Sequence, residues 1–248
     1  MTRATAADLS PSAYADGFAR AHLPPAEQWP DFLFDLPELQ YPARLNCVAE
    51  LLDAALGAGR GARVAIVGEH ETWTYAELQR RVDRIAHVLH ADLGLVTGNR
   101  VLLRGANNPM MAACILAVLK AGCIAVPTMP LLRARELDTI MAKAQVDAVL
   151  CAANLRAEID ALAAPPRTLA CFNGGAADDG LEALMARHDA PFAAVDTAAD
   201  DVCLISFTSG TTGIPKGTMH FHRDVLAICD CFPRHTLRSQ QSDLFIGT

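Results

Sequence analysis

The run Thr208-Ser-Gly-Thr-Thr-Gly-Ile-Pro-Lys-Gly217 concentrates the residue types that hold a polyphosphate. Gly210, Gly213 and Gly217 let the backbone approach an anion and turn its N–H groups inward. The hydroxyls of Ser209, Thr211 and Thr212 can donate to phosphate oxygens, with Thr208 leading in. Lys216 adds a point charge, and Pro215 stiffens the exit. The spacing is not that of a Walker A loop, which needs four residues between two glycines and then Gly-Lys-Ser/Thr. Here two residues separate Gly210 from Gly213, and Gly217 follows Lys216.

Other constellations carry less chemistry. His220, His222, Cys229, Cys231 and His235 do not follow common zinc spacings. On a helix, Cys229 and Cys231 would point about 200° apart. His222 is expected to cap or pack at a helix start. Thr74-Tyr-Ala-Glu77 is explained by helix capping. Lys120 is expected to be a helix-end charge near the C-terminal dipole. Gly57, Gly59 and Gly61 follow a helix and precede a strand, the reverse of a dinucleotide loop.

The elements that must position the loop follow from periodicity. Val202-Cys-Leu-Ile-Ser-Phe207 is a nearly continuous apolar run and predicts a buried strand. A helix is expected over His222–Phe232, with Val225, Ile228, Cys229 and Phe232 on its apolar face. The local layout is then strand, lysine loop, helix. Upstream, strands are expected at Arg63–Val67, Arg100–Arg104, Cys123–Pro127, Ala148–Cys151 and Thr168–Phe172. Helices fall between them. One follows Asn46 and stops near Gly57. One opens at Thr74 and carries Leu78, Val82, Ile85 and Leu89 on a stripe. One has Asn108 as cap and Pro109 in its first turn and ends at Gly122. Two more are expected at Glu136–Ala144 and Leu155–Leu162. The alternation predicts an α/β fold with a largely parallel sheet flanked by helices. Asp243–Thr248 begins like a strand and then stops, which suggests a piece of a longer chain.

Composition limits the partners. Of 248 residues, 52% are hydrophobic and 20% charged, enough for a buried core. The formal net charge of −7 comes without a basic stripe, so nucleic acid is not an expected partner. No apolar run is long enough for a membrane span, and residues 1–9 lack a signal-peptide core. A soluble cytoplasmic protein is the expectation. Most of the eight cysteines sit in apolar runs, as buried thiols do in a reducing compartment.

The lysine loop resembles the phosphate-binding signature of the adenylate-forming superfamily, which includes acyl-CoA synthetases and aryl-CoA ligases. Three further stretches resemble that family in the same order: Trp73-Thr-Tyr-Ala-Glu-Leu78, Leu119-Lys-Ala-Gly-Cys-Ile-Ala-Val-Pro127 and Lys216-Gly-Thr-Met-His-Phe-His222. Within the family, Gly217-Thr-Met-His-Phe-His-Arg-Asp224 and the proline-rich start are similar to benzoate– and 2-aminobenzoate–CoA ligases. The resemblance implies the N-terminal part of the family's large domain at 46–248, preceded by an extension at 1–45. It implies a two-step reaction that joins a carboxylic acid to coenzyme A through an acyl-adenylate, using ATP and Mg²⁺. Thr208, Ser209, Gly210, Thr211, Thr212, Gly213, Lys216 and Gly217 would bind ATP and pyrophosphate, and Thr212 would be a Mg²⁺ contact. The family's adenine segment, ribose-binding aspartate and C-terminal lid lysine have no counterpart here. The alternative expectation is therefore a catalytically incomplete fragment that keeps only the phosphate loop.

Overall fold

A computed structural model describes residues 9–174, 180–208 and 215–247. The elements that matter here, in chain order, are α1 (Phe18–Ala21), α2 (Ala54–Gly57), β1 (Val64–Val67), β2 (Thr72–Thr74), α3 (Tyr75–His87), β3 (Arg100–Arg104), α4 (Pro109–Lys120), β4 (Ile124–Thr128), α5 (Ala134–Ala144), β5 (Ala148–Ala152), α6 (Arg156–Asp160), β6 (Leu169–Phe172), α7 (Leu181–Met185), β7 (Val202–Thr208), β8 (Lys216–Phe221) and α8 (His222–Cys231). Six strands form one sheet in the order β6-β5-β3-β4-β7-β8, and β1 and β2 pair separately as an antiparallel hairpin. Pairing is parallel from β6 through β7, and β8 joins β7 antiparallel. The result is an α/β fold with a mixed sheet flanked by helices.

Side-chain alternation along the strands sorts the core into two layers. Val101 and Leu103 of β3 join α3 and α4 on one face, with Val82, Ile85, Ala113 and Ala117. Leu102 between them joins Leu137 and Ile140 of α5 and Ile159 of α6 on the other. The central strands β3 and β5 are buried throughout, as strands covered on both faces must be.

Local signals set the helix ends. Thr74 Oγ1 accepts from Glu77 N–H at 3.2 Å, and a Glu77 carboxylate oxygen accepts from Thr74 N–H at 2.8 Å. This reciprocal pair opens α3. Thr74→Ala is expected to cost about 1 kcal/mol through loss of the cap, read as a lower denaturant midpoint with unchanged slope. Asn108 accepts from Met111 N–H at 2.9 Å and opens α4, with Pro109 in the first turn. Gly122, at φ +66°, lets the chain leave α4 and enter β4.

Lys120 is the helix-end charge that was expected, and it is also buried and paired. It is the last residue of α4, but its side chain is 1% exposed rather than lying at the helix surface. Its ammonium sits 2.6 Å from Asp83 Oδ1 and 2.8 Å from Asp53 Oδ1. Residues 243–247 form no strand and leave Leu244, Phe245 and Ile246 exposed. The expected apolar face of α8 is borne out only at Val225, which packs against the core. His222 and Leu226 are its buried residues, while Ile228, Cys229 and Phe232 are exposed. Apolar residues occur on more than one side of this helix, so periodicity alone did not select the buried one.

Residues before Asn46 brace the turn that leads into β7. Arg20 pairs with Asp200 and Asp201, at 3.3 and 3.1 Å. Ser12 Oγ donates to Asp201, and Tyr14 Oη donates to the Val202 carbonyl at 2.9 Å. Among the described residues no helix is long and apolar enough to cross a membrane.

Candidate functional site

The lysine loop joins two antiparallel strands rather than a strand and a helix. Register places Thr208 opposite Lys216, Phe207 opposite Gly217 and Ser206 opposite Thr218. This corrects the expected strand–loop–helix layout. Lys216–Phe221 is itself a six-residue strand, which sets the start of α8 about 17–20 Å from the loop at ordinary strand rise. The positive end of α8 therefore cannot face an anion held by the loop.

The flanks of the loop are described; Ser209, Gly210, Thr211, Thr212 and Gly213 lie outside the described residues. Thr208 and Lys216 are both exposed at the mouth of the hairpin, side by side across the ladder. Among the described residues no carboxylate pairs with Lys216, and residues 202–221 contain no Asp or Glu. A cation and a hydroxyl therefore stand side by side at the mouth, and among the described residues no carboxylate pairs with the cation. Gly217 has a packing role in this geometry. A Cβ there would lie 3.0 Å from Ile205 Cγ2 and 3.2 Å from the Phe207 ring, closer than ordinary contact.

Two features hold the hairpin in place. At its mouth, Lys143 Nζ of α5 donates to the Pro215 carbonyl at 2.8 Å and ties the loop exit to the neighbouring helix. At its root, Asp201 is 1% exposed and accepts from Ala13 N–H and Ala198 N–H at 3.0 and 2.9 Å, while its own carbonyl accepts from His222 N–H at 3.2 Å. Sequence reasoning singled out neither Lys143 nor Asp201. Each acts on a segment distant in sequence, and neither belongs to a motif.

His222 packs at the start of α8, fully buried, as expected from its position. Beside it lie Cys47 and Cys203, also fully buried. A hydrogen bond from the Cys203 thiol holds Cys47 below the ordinary thiol range, and burial pushes Cys203 up. This group was missed because residues 47, 203 and 222 meet only in the fold. All eight cysteines are free thiols.

Similarity to known proteins extends over most of the chain. The family described as AMP-binding enzyme matches residues 52–247. A benzoate–CoA ligase of Thauera aromatica is 29% identical over 210 residues, covering 84% of this chain and 40% of that protein. A long-chain-fatty-acid–CoA ligase of Mycobacterium tuberculosis is 37% identical over 156 residues, covering 61% of this chain and 30% of that protein. The crystal structure of ATP-bound MatB from Rhodopseudomonas palustris superposes with a TM-score of 0.67 at 28% identity, over 77% of this chain and 37% of that one. The chain thus spans well under half the length of these proteins.

Proposed function

Because the chain belongs to the AMP-binding enzyme family, we propose that it supplies the pyrophosphate-holding part of an ATP-dependent acid–CoA ligase, acting on an aromatic acid such as benzoate or 2-aminobenzoate. The observation that carries the reading is the β7–β8 hairpin, which sets Thr208 and Lys216 side by side at an open mouth with no carboxylate between 202 and 221. The aromatic acid rests on the likeness to the benzoate ligase. The division into an extension at 1–45 and the family domain from 46 onward belongs to the same proposal.

In the first step a carboxylate oxygen attacks the α-phosphorus of ATP. The acyl–O–P bond forms as the bridging P–O bond to the β-phosphate breaks, and pyrophosphate leaves. Lys216 and the loop N–H groups would take up the negative charge that grows on that leaving group. In the second step the coenzyme A sulfur attacks the acyl carbon, a thioester forms, AMP leaves, and the thiol proton passes to solvent.

Mg²⁺, when bound, would neutralise phosphate charge. The described flanks of the loop fit an ion carried in by the nucleotide. They offer the Thr208 hydroxyl and no carboxylate, so phosphate oxygens and water would make up most of the coordination. The further contact assigned to Thr212 is part of the proposal. Coenzyme A and the acid would be bound by the whole protein.

ATP–pyrophosphate exchange by the protein that carries this chain tests the reading. Exchange dependent on benzoate or 2-aminobenzoate is the expected result. Exchange with long-chain fatty acids alone would overturn the aromatic assignment and leave the ligase reading standing. ATP hydrolysis that needs no acid would overturn both.

A further inference from the structure

Three donors of the type that bind thiophilic metals converge at the root of the hairpin. The sulfurs of Cys47 and Cys203 and a ring nitrogen of His222 all lie within 4.8 Å of one another. Cys47 Sγ is 3.2 Å from His222 Nδ1. Ligands arranged tetrahedrally around one zinc-sized ion stand about 3.5–3.8 Å apart, given metal–sulfur and metal–nitrogen bonds of about 2.3 and 2.0–2.1 Å. The Cys47–His222 separation falls just short of that range and no pair exceeds 4.8 Å, so modest side-chain adjustments would close the site.

A second observation concerns the ring's orientation. Tyr14 Oη donates its proton to the Val202 carbonyl, so toward His222 it can only accept. It lies 3.3 Å from His222 Nε2. The proton of the neutral ring therefore belongs on Nε2, and the Nδ1 lone pair faces Cys47, accepting from its backbone N–H at 3.3 Å, a bond that an ion on Nδ1 would replace. Metal-binding histidines are held in this way, with the second ring nitrogen donating to an outer partner that fixes tautomer and angle. All three side chains are fully buried, so an ion there would be shielded from competing water.

We propose that Cys47, Cys203 and His222 form a buried site for a thiophilic d¹⁰ metal ion, Zn²⁺ or Cu⁺. Two thiolates and one neutral imidazole suit soft or borderline ions and exclude Mg²⁺ and Ca²⁺. With Zn²⁺ the set sums to zero charge, and the fourth position falls to a small exogenous ligand. With Cu⁺ three soft ligands suffice. Uptake replaces two S–H bonds by two metal–sulfur bonds and releases two protons, with no change in oxidation state, so affinity rises with pH. The bound ion would tie three distant segments together: the helical turn after Asn46, strand β7 and the start of α8. The site does not depend on the ligase reading.

The test uses the full chain, reduced and stripped of metal. It is titrated anaerobically with Co²⁺ as the spectroscopic stand-in for Zn²⁺, with Zn²⁺ itself, and with Cu⁺ from a weak chelator. The expected result is one ion per chain and a thiolate charge-transfer band with Co²⁺. The thermal midpoint should rise by about 5–10 °C at a hundredfold excess over Kd. Cys203→Ser and Cys47→Ser should each abolish the band and the shift, while Cys229→Ser, at an exposed position, keeps both. Tyr14→Phe preserves the ring packing and should weaken affinity about 10–100-fold by freeing His222. It also guards against a serine variant that fails to fold. No uptake by the native chain, uptake that survives Cys203→Ser, or wild-type affinity in folded Tyr14→Phe would overturn the proposal.

Discussion

Lys120→Met is expected to destabilise the chain by about 3–5 kcal/mol, because it leaves the buried Asp83 and the half-buried Asp53 without their cation. The ammonium is 1% exposed and reaches Asp83 and Asp53 at once, at 2.6 and 2.8 Å. Methionine matches the stem and keeps the packing, so the loss isolates the charge. The sign of the pH dependence follows from Asp83. Burial raises its carboxyl above the ordinary value, with the Lys120 hydrogen bond acting in the opposite direction. A carboxyl whose folded pKa is raised binds its proton more tightly in the fold, so it favours the fold as pH falls and opposes it as pH rises through that value. Without Lys120 the raise grows, and the deficit of Lys120→Met should shrink between neutral pH and the mildly acidic range. Urea unfolding of the variant and the native chain across that range measures it. A deficit below about 1 kcal/mol at neutral pH would mean that water reaches the pair and screens it. In the double variant Lys120→Met/Asp83→Leu most of the stability should return, because an apolar pair of similar volume replaces the ions.

The same triad shows where sequence reading stops. What is local was legible. The cap at Thr74 lies in a four-residue pattern, and its two hydrogen bonds close within those residues. The strands β3, β4, β5 and β7 were legible as apolar runs, because a sheet covered on both faces demands them. Lys120 was not, since its partners lie 67 and 37 residues away and a helix-end lysine is ordinarily a solvated charge. The Cys47–Cys203–His222 group was hidden for the same reason. Strand β8 was misread on other grounds. Its alternation Gly217, Met219, Phe221 against Lys216, Thr218, His220 is a period-2 pattern, but Lys216 and Gly217 read as the end of the phosphate loop and left too short a run before the helix at His222. The omission has a chemical consequence: with a strand between them, the α8 dipole does not reach the loop.

Without that dipole the burden on Lys216 grows, and Lys216→Ala is expected to weaken binding of ATP and of pyrophosphate about 10–100-fold, the worth of one charge-assisted contact. The side chain is exposed and sits opposite Thr208 at the mouth. Among the described residues it has no carboxylate partner, so its removal should leave fold stability within about 0.5 kcal/mol. Affinity, not folding, is therefore the quantity that moves. AMP is the control. If Lys216 faces the β- and γ-phosphates, AMP affinity should stay near the native value while pyrophosphate affinity falls. Added salt should shrink the native advantage, since a contact at an open mouth is screened. Lys216→Arg keeps the charge but replaces a compact ammonium with a planar fork, and should recover part of the loss. Calorimetric titration of the three ligands into native, Ala and Arg chains decides the matter. An equal loss for AMP and pyrophosphate would move Lys216 off the leaving group, and no loss for either would remove the hairpin mouth as the phosphate site.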